Sequence, residues 1–336
     1  MAILMSDHRQ TSVLVTGGAG YVGSHACKAL AQAGFRPVVY DDLSRGHRDA
    51  VRWGPLVEGD VRDASTLEDT MRRFNISAIL HFAGRSEVGE SMIDPLLYHD
   101  VNTGGAISLA RAARSANVDK LIFSSTCAIY GLPESVPITE AEKREPINPY
   151  GVSKLAAEQI FTDAERAYGL RTISLRYFNA AGADPEGELG ERHDPETHLI
   201  PLAIRAGLPG SFTLKIMGGD YPTPDGTAIR DYVHVSDLAT AHVTALKRLL
   251  GGGEGGAFNL GVGRGFSVRE IVQAVEKASG VPIRQEPAPR RAGDPPILIA
   301  DPSAARHALA WNPVRTSIDD IVGDAFRWEV GLQDAA

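Results

Sequence analysis

Eight residues constrain this chain more than any others: Thr16-Gly17-Gly18-Ala19-Gly20-Tyr21-Val22-Gly23. They follow a short apolar run, SVLVT at Ser12–Thr16, and open a stretch with helical patterning over 21–34. Gly17, Gly20 and Gly23 recur every third position. One glycine takes a tight bend, one lets backbone approach a pyrophosphate, and one permits close packing of helix on strand. The first helical turn, with Tyr21 and Val22, then turns unpaired N–H groups and a partial positive charge toward an anion. A glycine-rich run alone is equally compatible with a plain turn. A strand before it and a helix after it make it a dinucleotide-binding turn, which belongs to the first βα unit of a parallel sheet.

The rest of the first half fits that sheet. Strands are predicted at Ser12–Thr16, 37–41, 56–60, 78–83 and 121–125, each mostly apolar, as when both faces are covered. Helices are predicted over 21–34, 65–74 and 95–117. The alternation implies βαβ units and an α/β fold: a Rossmann-like doubly wound parallel sheet with a smaller α/β substrate-binding C-terminal domain. We place the dinucleotide-binding domain at 1–180 and the substrate domain at 181–336, with 231–265 returning to the sheet. In the second half, helices are predicted at 148–168, 237–250 and Val268–Ser279, and strands at 172–176, 230–235 and 258–260. Residues 183–196 and 221–227 are rich in turn formers, and 251–256 is a glycine-rich linker. No repeat of 20–50 residues is visible, which excludes solenoids and propellers.

Composition removes several function classes. Lys and Arg total 34 and Asp and Glu 42, a net charge of −8, so no whole-molecule attraction to nucleic acid or to an acidic membrane is expected. Two cysteines make no disulfide framework and lack metal-ligand spacing, so no metal is expected and a cytoplasmic setting is. The apolar Met1–Met5 stretch is cut short by Ser6 and Asp7, too soon for a signal peptide. No apolar run nears the ~20 residues that span a bilayer.

Four further positions carry chemistry. Asp41-Asp42 ends the second predicted strand, where an acid hydrogen-bonds an adenosine ribose and repels a 2′-phosphate, which favours NAD over NADP. Asp60 occupies the same kind of position after the third strand. Tyr150 and Lys154, in Asn148-Pro149-Tyr150-Gly151-Val152-Ser153-Lys154, stand one turn apart on one helix face. A free tyrosine has a pKa near 10 and is a poor base; a neighbouring ammonium and a cationic nicotinamide favour the phenolate. Ser124-Ser125-Thr126 ends the fifth strand, at the edge where parallel sheets hold ligands, and offers hydroxyls to a substrate oxygen. Alone, each of these also fits a capped loop, a solvated lysine or a turn; their placement at strand ends of one sheet argues for a site.

Together these elements resemble the extended short-chain dehydrogenase/reductase family, and within it the UDP-glucose 4-epimerase family. The resemblance runs from Val13 to about Trp328 through VLVTGGAGYVGSH, VEGDVRD, HFAG, VGES, FSSTCAIYG, PYGVSK, LRYFNAAGADP, DYPTPDGTAIRDYVHV, NLG and APRRAGD. Thr126 is followed by Cys127 and Ala128, whereas dehydratases of the family carry an acid pair there and decarboxylases a glutamate. The resemblance implies a redox-neutral inversion at C4 of a UDP-sugar with tightly bound NAD. Tyr150 takes the 4-OH proton beside Thr126, a 4-keto sugar forms and swings about its diphosphate link, and reduction occurs on the opposite face. The alternative is a UDP-xylose/UDP-arabinose 4-epimerase or an enzyme acting on both classes. Less favoured are a non-catalytic NAD-binding regulator and a reductase with net cofactor turnover.

The resemblance also implies site residues. Gly17, Gly20, Tyr21, Val22, Gly23, Asp41, Asp42, Leu43, Asp60, Val61, Phe82, Ala83, Gly84, Asn102, Ser124, Tyr150, Lys154 and Phe178 would hold the cofactor. Ser125, Thr126, Tyr150, Asn179, His198, Leu199, Arg230, Arg291, Asp294 and Leu298 would hold the UDP-sugar, the two arginines facing its diphosphate. Ser86 stands where some members have a lysine, with Arg85 as a substitute contact. Leu298 stands where residue size bears on N-acetyl sugars, a preference left open. A homodimer is implied through the helices at 95–117 and 148–168, with Ala110, Ala112, Ala113, Ala156 and Ala157 read as exposed faces.

Overall fold

The computed structural model describes residues 10–208, 211–291 and 294–334. The Met1–Met5 stretch, and Ala292 and Gly293 of APRRAGD, lie outside the described residues. Seven strands form one sheet: β1 (Ser12–Thr16), β2 (Arg36–Asp41), β3 (Leu56–Glu58), β4 (Ile76–His81), β5 (Lys120–Thr126), β6 (Arg171–Tyr177) and β7 (Gly256–Leu260). Their order is β7-β6-β5-β4-β1-β2-β3, and every pairing is parallel. The order reverses at β1, between its neighbours β2 and β4, which opens a crevice at the carboxyl ends of the strands. There the Thr16 hydroxyl and His81 Nδ1, 2.7 Å apart and buried, tie β1 to β4.

The helices that shape the site are α1 (Tyr21–Gln32), α2 (Ala64–Arg73), α3 (Gly105–Ser115), α4 (Pro149–Tyr168), α5 (Leu199–Ala206), α6 (Val235–Leu250), α7 (Val268–Ser279) and α8 (Ile318–Asp334). Alternation along β1 explains the two layers. Val13 and Val15 face α1 and α6, packing with Leu30, Leu246 and Leu249. Leu14 faces the other way, into a core with Leu109, Phe123 and Phe161 that α2, α3 and α4 cover. A third core lies under α5, α7 and α8, with Ile204, Val272, Val275, Ile321 and Val322.

Helix α4 has clear local causes. Asn148 accepts a hydrogen bond from Gly151 N–H at 2.8 Å, Pro149 fills the first turn, and left-handed Gly169 ends the helix. Two expectations break. The helix expected over 95–117 is a short turn, Pro95–Tyr98, then a wider π-type turn, His99–Gly104, before α3. The strand expected over 230–235 splits at Asp231. Ile229–Arg230 pairs with Phe266–Ser267 and Ile297–Leu298, while Tyr232–His234 pairs with Asn179–Ala181. The cause is the buried Asp231 carboxylate, which accepts N–H bonds from Val262, Gly263 and Ala300. The alanine faces are also corrected. Ala110, Ala112, Ala113 and Ala157 are buried against the sheet in this chain's own core, so they present nothing to a partner; Ala156 alone of the five is half-buried.

Candidate active site

A cavity of about 1360 Å³ opens along the crevice. Pockets for one small ligand run to about 1,000 Å³, so this one has room for more than one such group. Of the residues expected to hold the cofactor or the UDP-sugar, Leu43, Asn102 and Ser125 do not line it; the others, Gly17 and Leu298 among them, all do.

At the glycine turn, Gly17 has φ +72°, and a Cβ there would stand 2.4 Å from Ala83 N. A Cβ on Gly23 would stand 2.1 Å from Gly17 O. Gly20 caps α1 with no side-chain hydrogen bond, so the first N–H groups of that helix face the cavity uncapped. Asp41 is buried at the end of β2, and its carboxylate accepts from Ala19 N at 2.9 Å and from Leu43 N at 2.9 Å. Burial raises its pKa, against those two bonds. Its remaining lone pairs suit a ribose diol. Asp42 is exposed and holds Ser44. Asp60 is paired with Arg62, which holds its carboxyl below the usual range. An uncapped helix start, a backbone cradle without side chains and an acid at the next strand end together fit NAD.

Leu43 and Asn102 act behind this surface. Leu43 packs against the core. Asn102 clamps the chain after β4, with Oδ1 accepting from Arg85 N at 2.8 Å and Nδ2 donating to Arg85 O and Ser153 Oγ. Arg85 itself lines the cavity, its guanidinium 3.6 Å from Glu90.

The strand-end hydroxyls divide by period two. Ser124 and Thr126 face the cavity, Ser124 Oγ lying 2.5 Å from the Tyr177 hydroxyl. Ser125 faces the other way and donates to Glu158 Oε1 at 2.6 Å. This corrects its reading as a sugar contact. Glu158 continues the Tyr150–Lys154 stripe of α4 by one more turn. It takes a bidentate bond from buried Arg176 of β6, at 2.9 and 2.7 Å. Arg176 in turn reaches the Tyr130 hydroxyl, which donates to Asn259. The buried pair therefore pins α4 to β5 and β6 directly beneath Tyr150 and Lys154.

Lys154 is almost wholly buried. Its ammonium donates to Ser124 O at 2.8 Å and sits 4.7 Å from the Phe123 ring. Burial, set against the attraction of Glu158, pulls it down to about 8. The Tyr150 phenol is pushed above its ordinary value, by burial first and then by Tyr177, with the Thr126 hydroxyl offsetting part of this. In the protein alone, burial thus outweighs the lowering expected from Lys154. Tyr98 stands edge-on to Tyr150 at 6.3 Å.

On the far wall, Phe178, Asn179, Leu199 and Leu298 line the cavity. Arg230 is buried, paired with Asp294, and donates to Pro295 O at 2.7 Å. Arg291 is exposed at the rim. His198 caps α5, and its Nδ1 lies 2.8 Å from Glu191 and 3.0 Å from Glu196. Burial opposes its charge, but the two carboxylates outweigh it and hold it up at about 10. Sequence reasoning missed Tyr177, Tyr98 and the side chains gathered around His198, namely Glu191, His193 and Glu196. Tyr177 was within reach, since it ends β6 beside Thr126.

A parallel sheet with a glycine turn at its switch point, and a Tyr–Lys helix beside the next strand ends, defines a dinucleotide-dependent enzyme of the extended short-chain dehydrogenase/reductase class. The chain belongs to the NAD dependent epimerase/dehydratase family, whose model matches residues 13–261. A UDP-glucose 4-epimerase of Rhizobium leguminosarum bv. trifolii is 50% identical, over 94% of this chain and 97% of its own. A crystal structure of UDP-glucose 4-epimerase from Brucella ovis in complex with NAD is 51% identical, with a TM-score of 0.92 over 95% of this chain and 98% of that one. A UDP-glucose 4-epimerase from Bifidobacterium longum, in complex with NAD+ and UDP, is 36% identical, with a TM-score of 0.92 over 97% and 100%.

Proposed function

We propose that this chain interconverts UDP-glucose and UDP-galactose by inverting C4 of the sugar with tightly held NAD. The observation that carries the reading is the convergence of Thr126, Tyr150 and Lys154 on one cavity with the uncapped start of α1. The relatives' activity and the bound NAD and UDP of the solved structures support it.

NAD, when bound, supplies a hydride acceptor and donor and a positive ring beside the phenol. The remaining work falls to the chain. Tyr150 takes the proton of the sugar 4-OH and returns it after the keto sugar has turned. Burial disfavours the phenolate, and positive charge added to that of Lys154 beside the ring is what would favour it as a base. Thr126 orients the sugar oxygen, and Lys154 is held for the nicotinamide ribose. Phe178 borders the nicotinamide side. Asn179, His198, Leu199, Arg230, Arg291 and Asp294 anchor the nucleotide, Arg230 exchanging its Asp294 partner for phosphate oxygens, which its planar fork suits. Leu298 bounds the space in which the sugar turns. The anchor must be firm and the sugar grip loose, because binding one sugar pose tightly would oppose the reaction.

We assign residues 1–180 to the cofactor and 181–336 to the UDP-sugar, with α6 and β7 returning to the sheet. A homodimer goes with the same reading, moved from the buried alanines to the apolar side chains that the same region exposes, Ile93, Leu96, Ile107 and Val152. We place the protein in the cytoplasm. In support, Cys27 and Cys127 are free and buried, and among the described residues no helix is long and apolar enough to cross a membrane.

The test is product analysis of UDP-galactose incubated with purified protein and no added cofactor. UDP-glucose should form with no net change in reduced nucleotide. Stoichiometric cofactor consumption, or no turnover by a protein that carries NAD, would count against the proposal.

A further inference from the structure

One side-chain cluster shares only His198 with the nucleotide anchor just described, and its other three members have no part in that reaction. Glu191, His193, Glu196 and His198 lie within eight residues of the loop before α5, and each offers one ligand atom within 4.8 Å of the others. We propose that these four residues form a binding site for a first-row divalent cation of the zinc class.

The geometry comes first. His193 Nδ1 is 3.0 Å from Glu191 Oε1 and 3.9 Å from Glu196 Oε2. His198 Nδ1 is 2.8 Å from Glu191 Oε1 and 3.0 Å from Glu196 Oε1. A tetrahedral cation with ligands at about 2.0–2.2 Å sets neighbouring ligand atoms roughly 3.3 Å apart. The observed separations bracket that value, so modest side-chain rotations, with the His198 ring proton released to solvent as the cation takes Nδ1, complete the shell.

The second observation is independent. The Glu196 side chain is 1% exposed, and its Oε2 is buried with no hydrogen-bond partner among the described residues. Its other oxygen accepts from the N–H groups of Thr197 and His198 at 2.8 Å, which fixes the carboxylate in place. His198 pairs with that other oxygen, and the guanidinium nearest Oε2 is that of Arg205, 3.9 Å away and already committed to Glu329 at 2.9 and 3.0 Å. A buried carboxylate oxygen without a partner is costly, and buried charges are ordinarily paired or bound to metal.

The donor set gives the chemical class. Two imidazole nitrogens and two carboxylates suit zinc, iron, cobalt or manganese; calcium and magnesium prefer oxygen alone. With all four protein ligands present, the shell is closed, as in a structural site. Its place in the fold supports that role. His193 meets Tyr21 of α1 edge-on at 6.3 Å, Glu191 O accepts from Trp328 Nε1 of α8, and His198 caps α5. A cation here would tie the cofactor half of the cavity wall to the sugar half. Both His198 bonds are made by Nδ1, which leaves Nε2 for the cavity.

The test uses the full chain with its dinucleotide, dialysed against a chelator and titrated with Zn2+ and, separately, Co2+. The readouts are metal retained after gel filtration and the visible bands of bound cobalt. One ion per chain with a four-coordinate cobalt spectrum is the expected result. His193→Ala should weaken binding by at least the ~10–100-fold that even an outer partner costs. Glu196→Gln keeps the side-chain volume and the Oε1 acceptor, and serves if the first variant does not fold. Loss of the ion in either folded variant supports the site. The proposal fails if the parent protein retains no ion, or if both folded variants retain it unchanged, which would leave a hydrogen-bonded histidine–carboxylate cluster.

Discussion

Replacing Tyr150 with phenylalanine is expected to lower turnover of UDP-galactose by about 10²–10⁴-fold, the range a positioned acid–base group contributes. The change removes one oxygen and leaves the ring, so the edge-on contact with Tyr98 survives. It also leaves the Lys154–Ser124 bond and the Glu158–Arg176 pair that fix α4. The expected signature is therefore a fall in kcat with NAD content and melting temperature near those of the parent. Turnover within a few-fold of the parent would remove Tyr150 from the chemistry. Loss of NAD would show that the tyrosine holds the cofactor rather than moving a proton. Steady-state kinetics with UDP-galactose, together with the nucleotide content of the purified variant, separate these outcomes.

Gly23→Ala is expected to have an effect as large by a different route. The added methyl would lie 2.1 Å from Gly17 O, 2.9 Å from Gly17 C and 3.0 Å from Gly18 Cα. All three are backbone atoms, so no side chain can swing aside. Helix α1 must move off β1, at an overpacking cost of about 1–3 kcal/mol or more. The phosphate cradle opens with it, so the purified variant should carry little NAD and show little turnover. Gly20→Ala is the informative counterpart, because its methyl meets only Gly17 O, at 3.4 Å. The fold should tolerate it, and loss of dinucleotide in that variant reports how closely the phosphate approaches the backbone. Full retention of NAD by Gly23→Ala would contradict the assignment of this turn.

What was legible in the sequence was local. The spacing of Gly17, Gly20 and Gly23, the i,i+4 relation of Tyr150 and Lys154, and the Asn148-Pro149 start of α4 are set by a few neighbouring residues. The same holds for the alternating order of the parallel strands. What was missed depends on contacts between distant parts of the chain. The split at Asp231 arises because its carboxylate serves N–H groups some 30 to 70 residues further on. Two- and three-residue strands such as Ile229–Arg230 and Ile297–Leu298 have too little pattern to be seen before they pair. The alanines of α3 and α4 read as an outward face because small residues carry no directional signal; the aromatic residues Phe123 and Phe161 opposite them decide the matter. Ser125 could have been read correctly, since period two sends it away from Ser124 and Thr126. In Tyr150 the sign of the pKa shift differs from expectation, because burial is not encoded in spacing.

The central claim is that hydrogen leaves C4 of the sugar and returns to the same carbon while a tyrosine handles only the hydroxyl proton. UDP-galactose carrying deuterium at C4 tests it most directly, with the UDP-glucose product analysed by mass and NMR after several turnovers in ordinary water. The account predicts that the deuterium stays at C4, and that the reverse experiment in heavy water places none there. Loss of the label to solvent would mean that C4 hydrogen leaves as a proton, and would contradict the account.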